Sequence, residues 1–305
     1  MTRPALLCAK LLLALTLGAG AAVAQPLDSP VLRKIRDTGV VTLGHRFDSA
    51  PFSYLDARRR PIGYSMDICR HVVEAVRTHL GRPDIEVRLV NVTTATRLPM
   101  LANGSVDLEC GVTTNTAERQ KLVAFSVTTF VAASRLLAKK TSGIHTVNDL
   151  RGQPVATTLS TTSIQYLTEV NQARGLDMRI LAGADDQEAF QMVRTDHALA
   201  FAMDDVLLRS LLAKAPDADD FAISEPALTT EPYGIGITPK DPVFKQLVDA
   251  AIVDLFRSGR IQALYGKWFE SPIPLSNVNL KLPMSASLRR AIATPTDSPD
   301  PSVYR

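Results

Sequence analysis

Residues 111–126 read Gly111-Val-Thr-Thr-Asn-Thr-Ala-Glu-Arg119-Gln-Lys-Leu-Val-Ala-Phe-Ser126. The pattern predicts the end of a strand, a turn rich in hydroxyl side chains, one arginine and an apolar return strand. Hydroxyl groups and free backbone N–H groups at the start of a helix favour an anion. The guanidinium of Arg119 adds a planar, permanently charged fork that matches a carboxylate through two parallel hydrogen bonds. This stretch therefore predicts a site for a small carboxylate.

Short apolar strands alternate with amphipathic helices on both sides of this stretch, which predicts an α/β fold with a mostly parallel sheet. On the N-terminal side we expect strands at 40–44, 85–92 and 108–111, and helices at 65–80 and 96–102. On the C-terminal side we expect strands at 155–158, 178–181, 198–203 and 235–238, and helices at 162–174, 185–194, 205–212, 242–258 and 260–269. The two groups repeat one pattern, as two lobes of one architecture would.

Residues 1–24 have the features of a secretory signal peptide. Arg3 and Lys10 are basic, residues 11–17 form an apolar run, and Ala-Val-Ala at 22–24 is typical of a cleavage site. A membrane anchor is the alternative, but this apolar run is too short to span a bilayer. Cys8 precedes the apolar run instead of following the cleavage site, which argues against a lipid anchor. We therefore expect an exported and soluble mature protein.

The charge of the chain argues against nucleic acid as a partner. The formal net charge of the 305 residues is +3, and it falls to +1 when the two basic residues of the leader are removed. A nearly neutral chain lacks the excess of positive charge that binding to a nucleic acid backbone requires. The chain that remains is long enough for two domains.

Two cysteines, Cys69 and Cys110, remain after the leader is removed. An even number of cysteines in an exported protein suggests a disulfide. The first lies on a predicted helix and the second at the end of a predicted strand, and such positions can be neighbours in an α/β layer. Two free buried thiols are the alternative. No cluster of histidines lies nearby, so we expect no metal site, and nothing in the sequence indicates a cofactor.

Residues 111–126 resemble the ligand loop of the periplasmic amino-acid-binding proteins that feed ABC importers, known as solute-binding protein family 3. Further segments resemble the glutamate/aspartate-binding branch of that family: 41–46, 51–54, 63–67, 94–99, 108–111, 161–163, 201–205, 267–269 and 272–274. The resemblance covers nearly all of residues 31–282. Three segments narrow the resemblance to the branch for acidic amino acids. They are Gly-His-Arg at 44–46, Thr-Arg at 96–97 and Asp-Asp at 204–205.

The resemblance implies the type II fold of periplasmic binding proteins, in which two hinge strands join two α/β lobes and the ligand binds in the cleft between them. The implied boundaries are 25–134 plus 231–290 for lobe 1, 135–230 for lobe 2, and 291–305 for a flexible tail. The tail is expected to be loosely ordered because it is terminal and rich in Pro, Ser and Asp. The implied hinges lie near 132–137 and 227–233.

The resemblance also implies roles for four charged residues. Arg119 would bind the α-carboxylate of an amino acid, Asp204 the α-ammonium, and Arg46 and Arg97 the side-chain carboxylate. Arg46 ends the first strand, and ligands of open α/β sheets bind at the carboxyl ends of strands. Each residue has a simpler alternative: Arg119 could pair with a neighbouring surface acid, Asp204 could cap the following helix, and Arg46 and Arg97 could be solvated surface charges.

Contacts through hydroxyl groups or backbone amides are implied for Thr94, Thr114, Thr161 and Thr162. Threonines at helix starts are commonly caps, so their side-chain roles stay open. Phe52 and Tyr64 could form the wall beside the aliphatic part of the ligand, or they could pack in the core.

Two site positions depart from the glutamate/aspartate pattern. Val112 stands where that branch usually has a serine, so one hydroxyl contact is lost although its backbone could still bind. Asp186 stands where a histidine often holds the side-chain carboxylate, and a negative charge there would repel it. Alternatively, Asp186 caps the helix that follows. Asparagine, glutamine or another acidic compound therefore remain alternative ligands.

The function that follows is a periplasmic substrate-binding protein. It would capture glutamate or aspartate by lobe closure and deliver it to an inner-membrane ABC permease, as a monomer and without catalysis. The first alternative is an enzyme on the same fold, such as a cyclohexadienyl dehydratase, with Glu109 or Asp186 as its acid or base. The second is a ligand-sensing module. The fold alone does not separate these functions.

Overall fold

The computed structural model describes residues 29–274 and 277–304, and the predicted signal peptide lies outside the described residues. The N-terminal part contains α1 (Pro30–Thr38), β1 (Val40–His45), β2 (Asp48–Ser49), β3 (Ser53–Leu55), β4 (Pro61–Ile62), α2 (Tyr64–Leu80), β5 (Glu86–Asn91), α3 (Arg97–Ala102), β6 (Leu108–Glu109), α4 (Ala117–Gln120) and β7 (Ala124–Phe125).

The long strand β8 (Phe130–Lys139) leads into the second group of elements. These are β9 (Pro154–Thr158), α5 (Thr162–Arg174), β10 (Arg179–Gly183), α6 (Asp186–Arg194), β11 (Ala200–Asp204), α7 (Asp205–Leu212) and β12 (Phe221–Ile223). The chain returns through β13 (Thr229–Tyr233), β14 (Gly236–Ile237), α8 (Pro242–Arg257), α9 (Arg260–Phe269), α10 (Ala286–Ala293) and a 3₁₀ turn (Pro301–Tyr304). The helices and strands predicted from periodicity are present, with ends that differ by no more than two residues.

Two sheets define two lobes, which confirms the predicted fold class. The first has the order β5-β1-β6-β14-β7, and β1 runs parallel to both β5 and β6. The second has the order β10-β9-β11-β8-β12, with β9, β10 and β11 parallel and β13 paired to β8. Strand β14 lies between β6 and β7 although it follows the whole second group in sequence. Lobe 1 is therefore built from two separate parts of the chain.

Strands β8 and β13 pair side by side in antiparallel register, from Phe130 opposite Tyr233 to Ser134 opposite Thr229. They are the segments that connect the first sheet with the second. Their position agrees with the predicted hinges, and hinge bending itself remains a prediction.

A cluster of aromatic rings fills the core of lobe 1 next to these strands. The Phe52 ring lies 4.9 Å from that of Phe130 and 5.5 Å from that of Tyr233, measured between centroids. Tyr64 is fully buried, and its hydroxyl donates to the carbonyl of Thr129 at 2.9 Å. Phe52 and Tyr64 are therefore core residues, as in the second of the two alternatives considered for them.

Cys69 of α2 and Cys110 after β6 form a disulfide, with their Cα atoms 6.2 Å apart. The bond joins a helix that covers the first sheet to the end of a central strand, directly before the loop that contains Arg119. This confirms the predicted disulfide and excludes two free thiols.

The C-terminal segment differs from the expectation of a loose tail. Ser285 caps the N-terminus of helix α10, because its side chain accepts a hydrogen bond from Leu288 N. Tyr304 is 1 % exposed, and its hydroxyl lies 2.8 Å from that of Thr128. The carboxylate of Asp297 lies 2.9 Å from Lys245. A buried ring and these polar contacts hold the segment on lobe 1, and composition alone does not reveal such contacts.

Among residues 29–274 and 277–304, no helix has the length and hydrophobicity that crossing a bilayer requires.

Candidate functional site

A cleft lies where the carboxyl ends of strands from the two sheets face each other. It contains about 340 Å³ of atom-free space, a volume that includes open solvent. Its walls are formed by Arg46, Thr94, Arg97, Val112, Thr114, Arg119, Thr161, Thr162, Asp186, Met203, Asp204 and Leu207. The ten residues that the sequence analysis discusses as ligand contacts are in this set, Thr161 among them, whereas Phe52 and Tyr64 are not. The first six residues belong to lobe 1 and the rest to lobe 2, so the cleft is formed by both lobes.

The topology explains this convergence. Arg46 directly follows β1, residues 112–114 follow β6, and residues 161–162 follow β9, while Asp204 ends β11. Parallel strands place their carboxyl ends at one edge of a sheet, where ligands of open α/β sheets bind. At Gly111 a Cβ atom would lie 2.0 Å from the Glu109 carboxylate, so the chain leaves β6 through a residue without a side chain.

Three arginines of lobe 1 are buried in the cleft: Arg46, Arg97 and Arg119. Arg46 Nη2 donates to Thr94 Oγ1 at 3.2 Å, and Arg97 Nη1 donates to the carbonyl of Val112 at 3.2 Å. The Nε groups of Arg46 and Arg97 have no partner within the described residues. Buried guanidinium donors without partners are costly, and a carboxylate supplies the acceptors that they lack.

The pKa shifts of the arginines indicate the same preference for a negatively charged ligand. Burial lowers the pKa of Arg97 to about 9, and the charges of Arg119 and Arg46 act in the same direction. Burial also lowers the pKa of Arg119, while the carboxylates of Glu231 and Asp204 oppose this change. An anion in the cleft stabilises the charged form of each arginine.

Arg119 is positioned by its own short helix. Thr116 caps α4 by accepting from Arg119 N at 3.2 Å, and Arg119 Nη1 donates to the carbonyl of Thr114 at 2.9 Å. Its Nη2 donates across the cleft to the carbonyl of Ser160 at 3.4 Å. The neighbouring Glu118 pairs with Lys121 at 2.7 Å. The alternative of a surface pair between Arg119 and Glu118 therefore does not occur.

Asp204 faces the cleft from lobe 2 and makes no capping hydrogen bond to α7. Its Oδ2 accepts from the hydroxyl of Tyr233, and its Oδ1 has no hydrogen-bond partner in the part of the chain that the structure describes. Burial raises the pKa of Asp204 well above its usual range, and the nearby charge of Glu231 raises it further. A cation beside Asp204 would stabilise the carboxylate and supply its free oxygen with a donor.

Asp186 lines the cleft, whereas its neighbour caps the helix. Asp185 Oδ1 accepts from Glu188 N at 2.9 Å, which is the cap of α6. Asp186 Oδ1 instead accepts from Thr158 Oγ1 at 2.6 Å. Burial raises the pKa of Asp186, while the Thr158 hydrogen bond and the charge of Arg46 lower it. Asp186 and Arg46 therefore line the same cleft, and capping does not explain the position of Asp186.

The threonines have different roles. Thr161 caps α5, since its Oγ1 accepts from Ile164 N at 3.4 Å and donates to the carbonyl of Thr158 at 2.6 Å. Thr162 donates its hydroxyl to Glu231 Oε2 at 2.8 Å. The N-terminus of the 13-residue helix α5 thus borders the cleft, and the N-terminus of a helix favours an anion.

Sequence reasoning missed several residues around the site. Met203 and Leu207 provide its apolar wall, where Phe52 or Tyr64 had been considered. Glu231 and Tyr233 of β13 are buried behind the lobe 2 side. In the sequence, Glu231 is an acidic residue within a predicted hinge segment. Hydrophobic periodicity does not distinguish such a residue from an acidic residue on the surface. No group of three or more potential metal ligands occurs among residues 29–274 and 277–304.

Comparisons with known proteins identify the family of this chain. A family model for "Bacterial extracellular solute-binding proteins, family 3" matches residues 41–271. The L-glutamate/L-aspartate-binding protein of Pseudomonas aeruginosa is 45 % identical, over 91 % of this chain and 95 % of that protein. The glutamate/aspartate import solute-binding protein of Escherichia coli strain K12 is 39 % identical, over 94 % of this chain and 96 % of that protein.

Among solved structures, similarity extends to the ancestral amino acid-binding protein AncCDT-1, a precursor of cyclohexadienyl dehydratase. The TM-score is 0.67 and the sequences are 27 % identical, with 79 % of this chain and 99 % of that chain covered.

Proposed function

This chain belongs to the bacterial extracellular solute-binding proteins of family 3, and we propose that it binds glutamate or aspartate in its cleft for an ABC importer. The observation that carries the proposal is the charge pattern of the cleft. Three buried arginines lie on lobe 1, and Asp204 and Asp186 lie on lobe 2. An acidic amino acid presents two carboxylates and one ammonium, which is the complementary set.

The contacts already made suggest a role for each group. Arg119 and the N-terminus of α5 would hold the α-carboxylate, and Asp204 Oδ1, to which no other described residue donates, would accept from the α-ammonium. Arg46 and Arg97, whose Nε groups lack partners in the described chain, would hold the side-chain carboxylate. Thr94, Thr114 and the backbone at Val112 would complete this shell, since each borders the cleft.

Binding without chemistry is the role that the relatives' names support, since these describe binding and import proteins. Family membership supports a periplasmic location and an ABC permease as partner. We propose further that the signal peptide is cleaved after Ala24 and that the mature chain acts as a monomer.

A direct binding experiment tests this function. Titration calorimetry and thermal shift against glutamate, aspartate, their amides and other amino acids should give the largest response for the two acidic ones. A ligand that binds only the folded state adds about 2.7 kcal/mol of stability at 100 times its dissociation constant. No response to glutamate or aspartate would refute the proposed ligand.

One observation keeps a dehydratase as the second candidate, namely the likeness to a protein described as a precursor of cyclohexadienyl dehydratase. Asp186 borders the cleft, whereas Glu109 lies buried behind it with Oε2 accepting from Thr113 Oγ1 at 2.8 Å. Incubation with prephenate and arogenate separates the two functions. Turnover that Asp186→Asn abolishes would support the enzyme, and unchanged substrates would support the binding protein.

A further inference from the structure

The hinge strand β13 carries a buried acid that the proposed ligand contacts do not use. Glu231 is 3 % exposed and lies opposite Ala132 of β8. Side chains alternate along a strand, so Thr229, Glu231 and Tyr233 share one face of β13. A buried carboxylate is costly unless nearby groups use or offset its charge.

Both oxygens of the Glu231 carboxylate accept hydrogen bonds from hydroxyl groups. Oε2 accepts from Thr162 Oγ1 at 2.8 Å, and Oε1 accepts from Thr229 Oγ1. Thr162 is the first residue of α5 and borders the cleft. The Thr162 side chain therefore separates Glu231 from the cleft. Its direct hydrogen-bond partners are neutral hydroxyl groups, so its negative charge acts on the charged residues of the cleft through space.

Two charged residues of the cleft respond to this charge. Among the charged groups that oppose the lowering of the Arg119 pKa, Glu231 has the largest effect. Glu231 also adds to burial in raising the pKa of Asp204. Tyr233, two residues further along β13, donates its hydroxyl to Asp204 Oδ2. The hinge strand thus contributes both a second negative charge and a positioning hydroxyl to the region around Asp204.

We propose that Glu231 is a positioning residue for the ammonium group of the ligand, because it fixes the Thr162 hydroxyl and places a second negative charge behind Asp204. The inference rests on the proposed function, since it concerns one subsite of an amino-acid ligand. The negative charge of Glu231 stabilises only the ammonium group of the ligand. The same charge opposes the carboxylates of the ligand and offsets that of Arg119.

Glutarate separates this role from a structural one. It has both carboxylates of glutamate and lacks the ammonium. A negative charge at Glu231 favours glutamate over glutarate, whereas a loss of cleft shape weakens both ligands alike.

The test is the ratio of glutamate to glutarate affinity in Glu231→Gln, with glutarate measured by competition. Glutamine keeps the size of the side chain and an oxygen that can accept from Thr162. We expect the ratio to fall about tenfold, which is less than the loss for removing one direct partner of a buried charge pair, because Thr162 separates Glu231 from the cleft. Glutarate affinity should stay equal or rise. The matched control is Glu169→Gln on the exposed side of α5, which removes the same charge and should leave the ratio unchanged.

Two further variants complete the test. Glu231→Asp keeps the negative charge. Its ratio of glutamate to glutarate affinity should therefore lie between those of the unmodified protein and of Glu231→Gln, and nearer to that of the unmodified protein. Glu231→Ser, a small neutral replacement, should lower the ratio as glutamine does and serves if the glutamine variant does not fold. Equal losses for both ligands, or an unchanged ratio, would overturn the role of Glu231. Failure of the unmodified protein to bind glutamate or aspartate would instead refute the proposed function.

Discussion

At the scale of single residues, the cleft keeps charged groups buried with some of their hydrogen-bonding capacity unused. Arg46 and Arg97 are 4 % and 3 % exposed, and each has an Nε group without a partner in the described residues. The hydrogen bonds to Thr94 and to the carbonyl of Val112 hold their guanidinium planes in place. Because the side chains are already ordered, a ligand loses less free energy in arranging them.

We expect Arg119→Ala to weaken binding of every amino acid ligand by roughly 2–5 kcal/mol, about 30-fold or more. The α-carboxylate would lose its buried charged partner, and all α-amino acids share that group. Titration calorimetry measures the loss, and circular dichroism checks the fold. Arg88→Ala on the exposed edge strand β5 is the control and should bind as the unmodified protein does. Near-unchanged binding in Arg119→Ala would remove Arg119 from the site.

Asp186 is the residue at which specificity is expected to change. It borders the cleft, and its carboxylate would oppose a second carboxylate that Arg46 and Arg97 attract, although burial raises its pKa and so favours its neutral form. Asp186→His should strengthen the binding of glutamate more than that of glutamine. The ratio of the two affinities, from calorimetry at neutral pH, is the readout. A ratio that does not move, with only stability altered, would mean that Asp186 has no part in specificity.

At the scale of elements, the disulfide and the C-terminal segment support the loop that carries Arg119. The disulfide joins α2 to the residue that precedes this loop. The carbonyl of Asp297 accepts from Asn115 Nδ2 at 2.8 Å and from Gln120 Nε2 at 3.0 Å. These two hydrogen bonds fix the segment before α4 and the last residue of α4 to the C-terminal segment. The helix cap of α4 comes from the neighbouring Thr116. The contacts that hold the loop in place come from two distant parts of the chain, helix α2 and the C-terminal segment.

We expect no free thiol in the mature chain when thiols are counted under denaturing, non-reducing conditions. The Cys69–Cys110 bridge closes a loop with a sequence separation of 41 residues. The chain-entropy model assigns about 4 kcal/mol to a loop of that length. Replacing both cysteines by serine should lower the denaturant midpoint accordingly. Two titratable thiols in the unreduced protein would contradict the bridge.

At the scale of the whole molecule, the two lobes already touch across the cleft. Arg119 of lobe 1 donates to the carbonyl of Ser160 in lobe 2. Lys214, which follows α7, lies 5.9 Å from the centroid of the Tyr54 ring of lobe 1. The ligand groups proposed above would bind residues of both lobes, and a ligand shifts an equilibrium toward the state with which it makes more contacts.

Saturating glutamate should therefore reduce the radius of gyration in small-angle scattering, through bending of β8 and β13. The permease would then recognise the closed shape. Arginine, which lacks the second carboxylate, is the comparison ligand and should change the radius less at the same concentration. Identical radii with and without glutamate would count against closure.

The sequence by itself determined the family, the alternation of strands and helices, and the chemical types at the strand ends. These are local signals, because hydrophobic periodicity and residues at fixed spacing lie within one segment. The family resemblance supplied the proposed site residues, and they line one cleft because the carboxyl ends of parallel strands converge at one edge of a sheet. The disulfide followed from the number of cysteines and their predicted elements.

Only the tertiary structure decided which groups face one another. Asp185 caps α6 and frees Asp186 for the cleft, although the two are adjacent acids with the same local signal. Glu231 and Tyr233 reach the surroundings of Asp204 because β13 pairs with β8, which also pairs with β11. Tyr304 finds its buried position on lobe 1. Such contacts join residues far apart in the chain, and they depend on packing that no short segment of sequence specifies.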